Sequence, residues 1–128
     1  MSNSKKAVIV DDDAKVIMVL EKVLMPLGFQ VFSAMEGKKA LELVKQESPD
    51  LLISDILQPG LDGISLCQWV KGDPQYRELK VILMTGVYKQ ASFKTQMECL
   101  PDAFIEKPLE VARLANQVKS LFNTGEKD

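Results

Sequence analysis

AVIVDDDAKVIMVLEKVLMPLG, residues 7–28, changes its hydrophobic period at a run of three aspartates. Before them, four apolar residues stand in succession, three of them β-branched, as in a strand covered on both faces rather than one half exposed to water. After them, Val16, Leu20, Val23, Leu24 and Leu27 recur at the three- and four-residue steps of a helix, and Gly28 is placed to stop it. Strand, acidic turn, helix is one unit of an α/β fold. Asp13 can cap that helix and meet its dipole, which explains one aspartate but not three.

The unit repeats outward from this stretch. AVIV (7–10), FQVFSA (29–34), DLLIS (50–54), KVILM (80–84) and AFIE (103–106) read as strands. Helical spacing separates them at Ala40, Leu41 and Val44, and again at Phe93, Met97 and Leu100. ISLCQWVKG predicts a shorter helix near 63–71, closed by Gly72 and the Asp73-Pro74 turn signal. The last helix is the clearest, with Val111, Leu114, Ala115, Val118, Leu121 and Phe122 on one face. Strand and helix alternate five times, which predicts a parallel sheet with right-handed crossovers and helices on both sides.

A chain of 128 residues suits one domain with a real core. The expectation is a single domain over 1–128, with a core from about 6 to 122 and a short polar tail, NTGEKD, at 123–128. A composition of 46% hydrophobic and 27% charged residues with net charge −2 argues against disorder and against direct nucleic-acid binding. No apolar run approaches a bilayer span and the polar start lacks a signal-peptide core, so a cytoplasmic protein without membrane attachment is expected. Cys67 and Cys99 lack CxxC spacing and read as small apolar fillers. Histidine is absent, which excludes histidine triads and phosphohistidine donation by this chain.

In open parallel sheets, sites form beyond the carboxyl ends of the strands. There this chain has Asp11, Asp12 and Asp13 after the first strand, Asp55 after the third, Thr85 and Gly86 after the fourth, and Lys107 and Pro108 after the fifth. Carboxylates on two strand ends make a hard-oxygen site suited to Mg²⁺, whose charge would offset their repulsion. Leu57 can lend a backbone carbonyl. Lys107 is the natural ion-pair partner of an aspartate emerging from an apolar strand, and Gly86 leaves room beside the Thr85 hydroxyl. Carboxylate, metal, hydroxyl and amine together suit phosphoryl transfer to a carboxylate nucleophile.

The motifs VIVDDD, SDILQPGLDG, ILMTG and FIEKP, in this order, make the chain resemble a receiver domain of the two-component response-regulator family, of the chemotaxis-regulator-like single-receiver kind. The likeness runs from Lys6 to about Phe122. It implies a doubly wound, flavodoxin-like (β/α)5 fold with strand order 2-1-3-4-5. It implies that Asp55 is the phosphoacceptor, that Asp11, Asp12, Asp55 and the Leu57 carbonyl form the Mg²⁺ site, and that Thr85 and Lys107 bind the phosphoryl oxygens. Phe104 takes the aromatic switch position, without the hydroxyl of the more usual tyrosine, and the Lys107-Pro108 bond is often cis in the family. Gln58 departs from the common methionine before the loop proline, and apolar Leu57 stands where access of hydrolytic water is influenced.

The resulting expectation is a phosphorelay switch, not a turnover enzyme on free substrate. A sensor histidine kinase or phosphotransfer protein would donate the phosphoryl group, and a protein target would read the face made by the fourth helix, fifth strand and fifth helix. No output domain follows in the sequence, so the signal would pass by protein contact, or the chain is a receiver cut from a longer regulator or hybrid kinase. Three other readings compete. A haloacid-dehalogenase-type phosphatase would use Asp11-Asp12-Asp13 as its D-x-D, but Lys15 stands where that motif wants Thr or Val. A flavodoxin-like FMN binder would need a hydroxyl-rich phosphate loop where the aspartates stand. A degenerate receiver acting only as a binding module is disfavoured by the intact set of site residues.

Overall fold

The computed structural model describes residues 5–57, 60–86 and 101–122. Five parallel strands, β1 (Lys5–Val10), β2 (Phe29–Ala34), β3 (Leu51–Asp55), β4 (Lys80–Thr85) and β5 (Ala103–Glu106), form one sheet in the order β2-β1-β3-β4-β5. Helices α1 (Ala14–Leu24), α2 (Gly37–Glu47) and α3 (Gly63–Lys71), with a C-terminal helix (Val111–Phe122), cover its faces. This is the doubly wound, flavodoxin-like arrangement expected. The expected helix around Phe93, Met97 and Leu100 lies outside the described residues, as do Cys99, Gln58, Pro59 and the 123–128 tail.

Side-chain alternation divides each central strand between two cores. Ala7, Ile9, Leu51, Ile53, Ile82 and Met84 face α1 and the C-terminal helix, where they meet Leu20, Leu24, Leu114 and Val118. Val8, Val10, Leu52, Val81 and Leu83 face α2 and α3, where they meet Ala40, Val44, Leu66, Cys67 and Val70. A continuous apolar run is therefore two interleaved half-runs, each residue committed to one side. Full burial of a leucine such as Leu20 or Leu66 contributes about 1.5–3 kcal/mol. The edge strands are covered less completely: Gln30 and Ser33 of β2 are exposed, and Phe104 and Glu106 of β5 are half-buried.

Boundaries differ from the sequence reading by one or two residues at functionally telling places. β1 begins at Lys5 because its pairing with β2 runs from Lys5↔Phe29 to Val10↔Ala34. The strand expected over 50–54 runs over Leu51–Asp55, and Thr85 belongs to β4. Asp55 pairs with Met84 and Thr85 with Glu106, so both polar residues are backbone members of the sheet. α1 ends at Leu24 and gives way to a single 3₁₀ turn, Met25–Leu27, where Pro26 lacks the N–H an α-helical bond would need. Gly28, at φ 98°, then closes the segment as expected.

Two aspartates pin the other end of the sheet. Asp50 donates its N–H to the Lys6 carbonyl at 2.8 Å and accepts the Lys6 N–H on its carboxylate at 2.9 Å. Asp102 does the same to Val81, at 2.8 Å in each direction, and its carboxylate also takes the Lys71 ammonium at 2.6 Å. Each stands one residue ahead of a strand and ties it to its neighbour.

Candidate functional site

β1 and β3 are adjacent, with Val10 paired to Ser54, so the residues that follow, Asp11 and Asp55, emerge side by side. One carboxylate oxygen from each of Asp11, Asp12 and Asp55 lies within 4.8 Å of the others. Asp11 is fully buried, Asp55 is nearly so, and Asp12 is exposed at the rim. Asp13 is not part of this group. Its Oδ1 accepts the Lys15 N–H at 2.9 Å as the cap of α1, the role expected for it.

The two oxygens of Asp11 have different employment. Oδ1 accepts the Asp13 N–H at 2.9 Å and so shapes the turn into α1. Oδ2 lies 2.8 Å from the Lys107 ammonium, an ion pair whose alignment falls short of a hydrogen bond, and among the described residues no other donor reaches it. A buried carboxylate oxygen without a hydrogen bond costs free energy that a directly bound cation would recover. Three clustered carboxylates are hard-oxygen donors, and that donor set fits a small divalent cation.

Lys107 also hydrogen-bonds Asp55 Oδ2 at 3.1 Å, so one ammonium bridges the ends of β1 and β3 from the end of β5. Its own N–H is fixed by the Thr85 carbonyl at 2.9 Å, and the peptide bond to Pro108 is cis. Burial pulls the Lys107 ammonium toward a lower pKa, but the Asp11 and Asp55 carboxylates outweigh it and hold the pKa above its ordinary value. For Asp55, burial dominates and raises the pKa above the usual carboxylate value. Lys107 pulls it back, Asp11 pushes it further up, and a hydrogen bond from the Leu57 backbone lowers it. The site thus holds more negative charge than a single amine balances.

Thr85 is buried at the end of β4, its hydroxyl making a long 3.3 Å bond to the Gly86 carbonyl. On the neighbouring β5, Phe104, paired with Leu83, is half-buried and packs against the core on the α2 and α3 side. The Leu57 side chain is 65% exposed, two residues beyond Asp55 at the lip of the site. The structure therefore brings together the Asp11, Asp12, Asp55 and Lys107 side chains, with Thr85 and Leu57 on adjoining backbone.

The sequence reading missed what lies beneath Asp55. Gly63, the first residue of α3, has no room for a side chain: an added Cβ would meet the Asp55 carbonyl oxygen and lie 2.9 Å from the Ile56 Cα. Asp62 caps that helix through the Ser65 N–H at 2.8 Å, and the Ser54 hydroxyl donates to the Asp55 carbonyl at 2.9 Å. LDG at 61–63 carried this signal as a cap followed by a glycine at the first helical position, although a turn would look the same.

Residues 7–119 match the family model of the response regulator receiver domain. The crystal structure of the signal receiver domain of a signal transduction histidine kinase from Syntrophus aciditrophicus is 34% identical, with TM-score 0.84 and coverage of 97% of this chain and 94% of that one. The probable transcriptional regulator ycf27 of Guillardia theta is 32% identical over 121 residues, 94% of this chain and 46% of that protein. Response regulator PleD of Caulobacter vibrioides is 30% identical over 118 residues, 92% of this chain and 26% of PleD. The chain spans about half the length, or less, of these curated relatives.

Proposed function

Because the chain belongs to the response regulator receiver domain family, we propose that it is a phosphorylation-controlled switch whose acceptor is Asp55. The observation that carries this reading is the Lys107 ammonium held between two buried carboxylates, 2.8 Å from Asp11 and 3.1 Å from Asp55, beside an Asp11 oxygen without a hydrogen bond. A lysine so placed can follow a phosphoryl oxygen as it arrives on Asp55. Asp11, Asp12, Asp55 and the Leu57 carbonyl would hold Mg²⁺, which when bound supplies positive charge to the phosphoryl oxygens.

In the proposed step an Asp55 carboxylate oxygen attacks phosphorus of a phosphohistidine on a sensor kinase or phosphotransfer protein. The P–O bond forms as the P–N bond breaks, and the electron pair returns to the imidazole. Lys107 neutralises one equatorial oxygen. The Thr85 hydroxyl can exchange its long bond to Gly86 for another. Turning Thr85 toward the acceptor opens space by Phe104 on β5, and the two arrangements differ at the surface of β5 and the helices flanking it, where a protein target would read them. The proposal includes a single receiver over 1–128, a cytoplasmic setting and no turnover of free substrate.

The haloacid-dehalogenase reading would make Asp11 the nucleophile. Here Asp11 is fully buried, with Oδ1 committed to the Asp13 N–H and Oδ2 against Lys107. Asp55, with its side chain partly accessible, is the better nucleophile. The test is acetyl phosphate with Mg²⁺, following a mass increase of one phosphoryl group. Wild type should be labelled, Asp55→Asn should not, and Asp12→Ala should lose both labelling and any Mg²⁺-induced rise in Tm. Labelling that survives in Asp55→Asn would refute the acceptor assignment.

A further inference from the structure

Two kinds of contact hold Asp55, charges at its carboxylate and neighbours at its backbone. Its carbonyl oxygen accepts the Ser54 hydroxyl at 2.9 Å. Ile56, the next residue, is fixed on both sides: its N–H donates to the Met84 carbonyl at 3.0 Å, and its carbonyl accepts the Gly63 N–H at 2.9 Å. The first residue of α3 therefore lies directly on the main chain of the acceptor.

Local preference does not explain glycine at position 63. Its φ is not in the left-handed region, and helix propensity favours alanine there. Space explains it: an added Cβ would meet the Asp55 carbonyl oxygen, 3.0 Å from its carbonyl carbon and 2.9 Å from the Ile56 Cα. All three are backbone atoms, so no rotamer change relieves the overlap. Gly37, at the start of α2, is as closely enclosed, but the atoms nearest to its missing Cβ are those of Leu61.

A side chain at 63 would force either α3 or the end of β3 to give way. Leu66, Cys67 and Val70, all fully buried, anchor α3 along its length. Asp55 is the last residue of its strand. The strand end yields first, and the Asp55 Cα, bonded to the displaced carbonyl carbon, takes the carboxylate with it. That carboxylate works at short range, 3.1 Å from Lys107 and with an oxygen within 4.8 Å of Asp11 and Asp12 oxygens. At a reacting centre a misplacement of about 1 Å is enough to matter.

We propose that Gly63 is a positioning residue of the acceptor: having no side chain, it lets α3 begin against the Asp55 carbonyl and sets where the Asp55 carboxylate stands relative to Asp11, Asp12 and Lys107. This rests on the acceptor reading of Asp55. Loss of a support behind a metal ligand lowers metal affinity about tenfold or more.

The experiment compares Gly63→Ala with Val70→Ala. Val70, two turns further along the same helix, packs in the core on the α2 and α3 side, and its truncation loosens α3 without adding any atom. Mg²⁺ alone, with no phosphodonor, is titrated into each protein well below its Tm, and the midpoint is read from the ¹⁵N amide shift of Asp55. Gly63→Ala should need about tenfold more Mg²⁺ than wild type, while Val70→Ala should keep the wild-type midpoint despite its lower Tm. A wild-type midpoint in Gly63→Ala, or an equal rise in both variants, would make Gly63 structural only and overturn the proposal. Should Gly63→Ala not fold, the wild type decides: Mg²⁺ should shift the Gly63 amide and leave Gly72, at the other end of α3, unmoved. An unmoved Gly63 amide, or a Gly72 amide that moves as far, overturns the proposal. Labelling of Asp55→Asn by acetyl phosphate would refute the acceptor reading separately, in a background where Gly63 is intact.

Discussion

Replacing Lys107 by methionine keeps the length of the side chain and removes its charge. At an effective dielectric of ~20, contacts of 2.8 and 3.1 Å correspond to gross attractions of about 6 and about 5 kcal/mol. Most of that is offset by the cost of taking the charges out of water, and removing one partner of a buried pair typically costs about 3–5 kcal/mol. Lys107 keeps 27% of its side chain exposed, so the lower end applies, about 3 kcal/mol. With an unfolding entropy of about 2.1 cal/mol/K per residue over 128 residues, Tm should fall by about 11 °C in EDTA. Magnesium should then act differently on the two proteins. In the variant two carboxylates within 4.8 Å repel by about 3.5 kcal/mol with no amine between them, so the ion has more repulsion to relieve. The Mg²⁺-induced rise in Tm should be larger in Lys107→Met than in wild type, and the gap between them should narrow. Calorimetry of both proteins, with EDTA and with saturating Mg²⁺, measures all four values. An unchanged Tm in EDTA, or a gap that widens with Mg²⁺, would show that Lys107 is not the counter-charge of this pocket.

Two further outcomes follow from the same geometry. The Asp55 pKa is raised in the folded state, so its contribution to stability is fully present below the unfolded value of 3.8 and is lost as pH rises through the folded value. Asp55→Asn should therefore be more stable than wild type at neutral pH without Mg²⁺, the advantage vanishing in acid; a variant less stable at pH 7 would contradict the sign. Asp102→Ala removes a charged acceptor from the Val81 N–H and the Lys71 ammonium. It should cost about 2 kcal/mol in urea unfolding while leaving the Mg²⁺ response of wild type, and a lost response would mean the two ends of the sheet are coupled.

The central strands were legible because a run buried on both faces has no polar residue to confuse its reading, as Ile53 and Ile82 illustrate. Legibility faded where backbone pairing outruns side-chain character. Asp55 and Thr85 look like loop residues by polarity, yet the ladder carries both inside strands. Asp50 looked like the first residue of a strand and is instead the clamp ahead of it. Among the site residues, the order of Asp11, Asp12, Asp55, Thr85 and Lys107 along the chain sufficed to group them, because every one follows or ends a parallel strand. Their unequal burial did not show, since Asp11 and Asp12 are chemically identical neighbours and only the pleat decides which one turns inward. Gly37 was illegible for a simpler reason. Nothing in a helical stretch announces that a loop twenty-four residues later will need the space of its methyl group.

The reciprocal bonds of Asp50 to Lys6 and of Asp102 to Val81 give the sheet a mechanical polarity. Strands bolted together at one end and carrying their charges at the other resemble cantilevers fixed in a common wall. Such strands resist sliding past one another, so an event at the charged tips has little outlet along the sheet axis. Displacement must leave sideways, through the loops and the helices hung from them. The bolts are themselves carboxylates, of the same residue type as those in the pocket, and what sets them apart is that each exchanges both of its bonds with a single residue of the neighbouring strand, Lys6 for Asp50 and Val81 for Asp102.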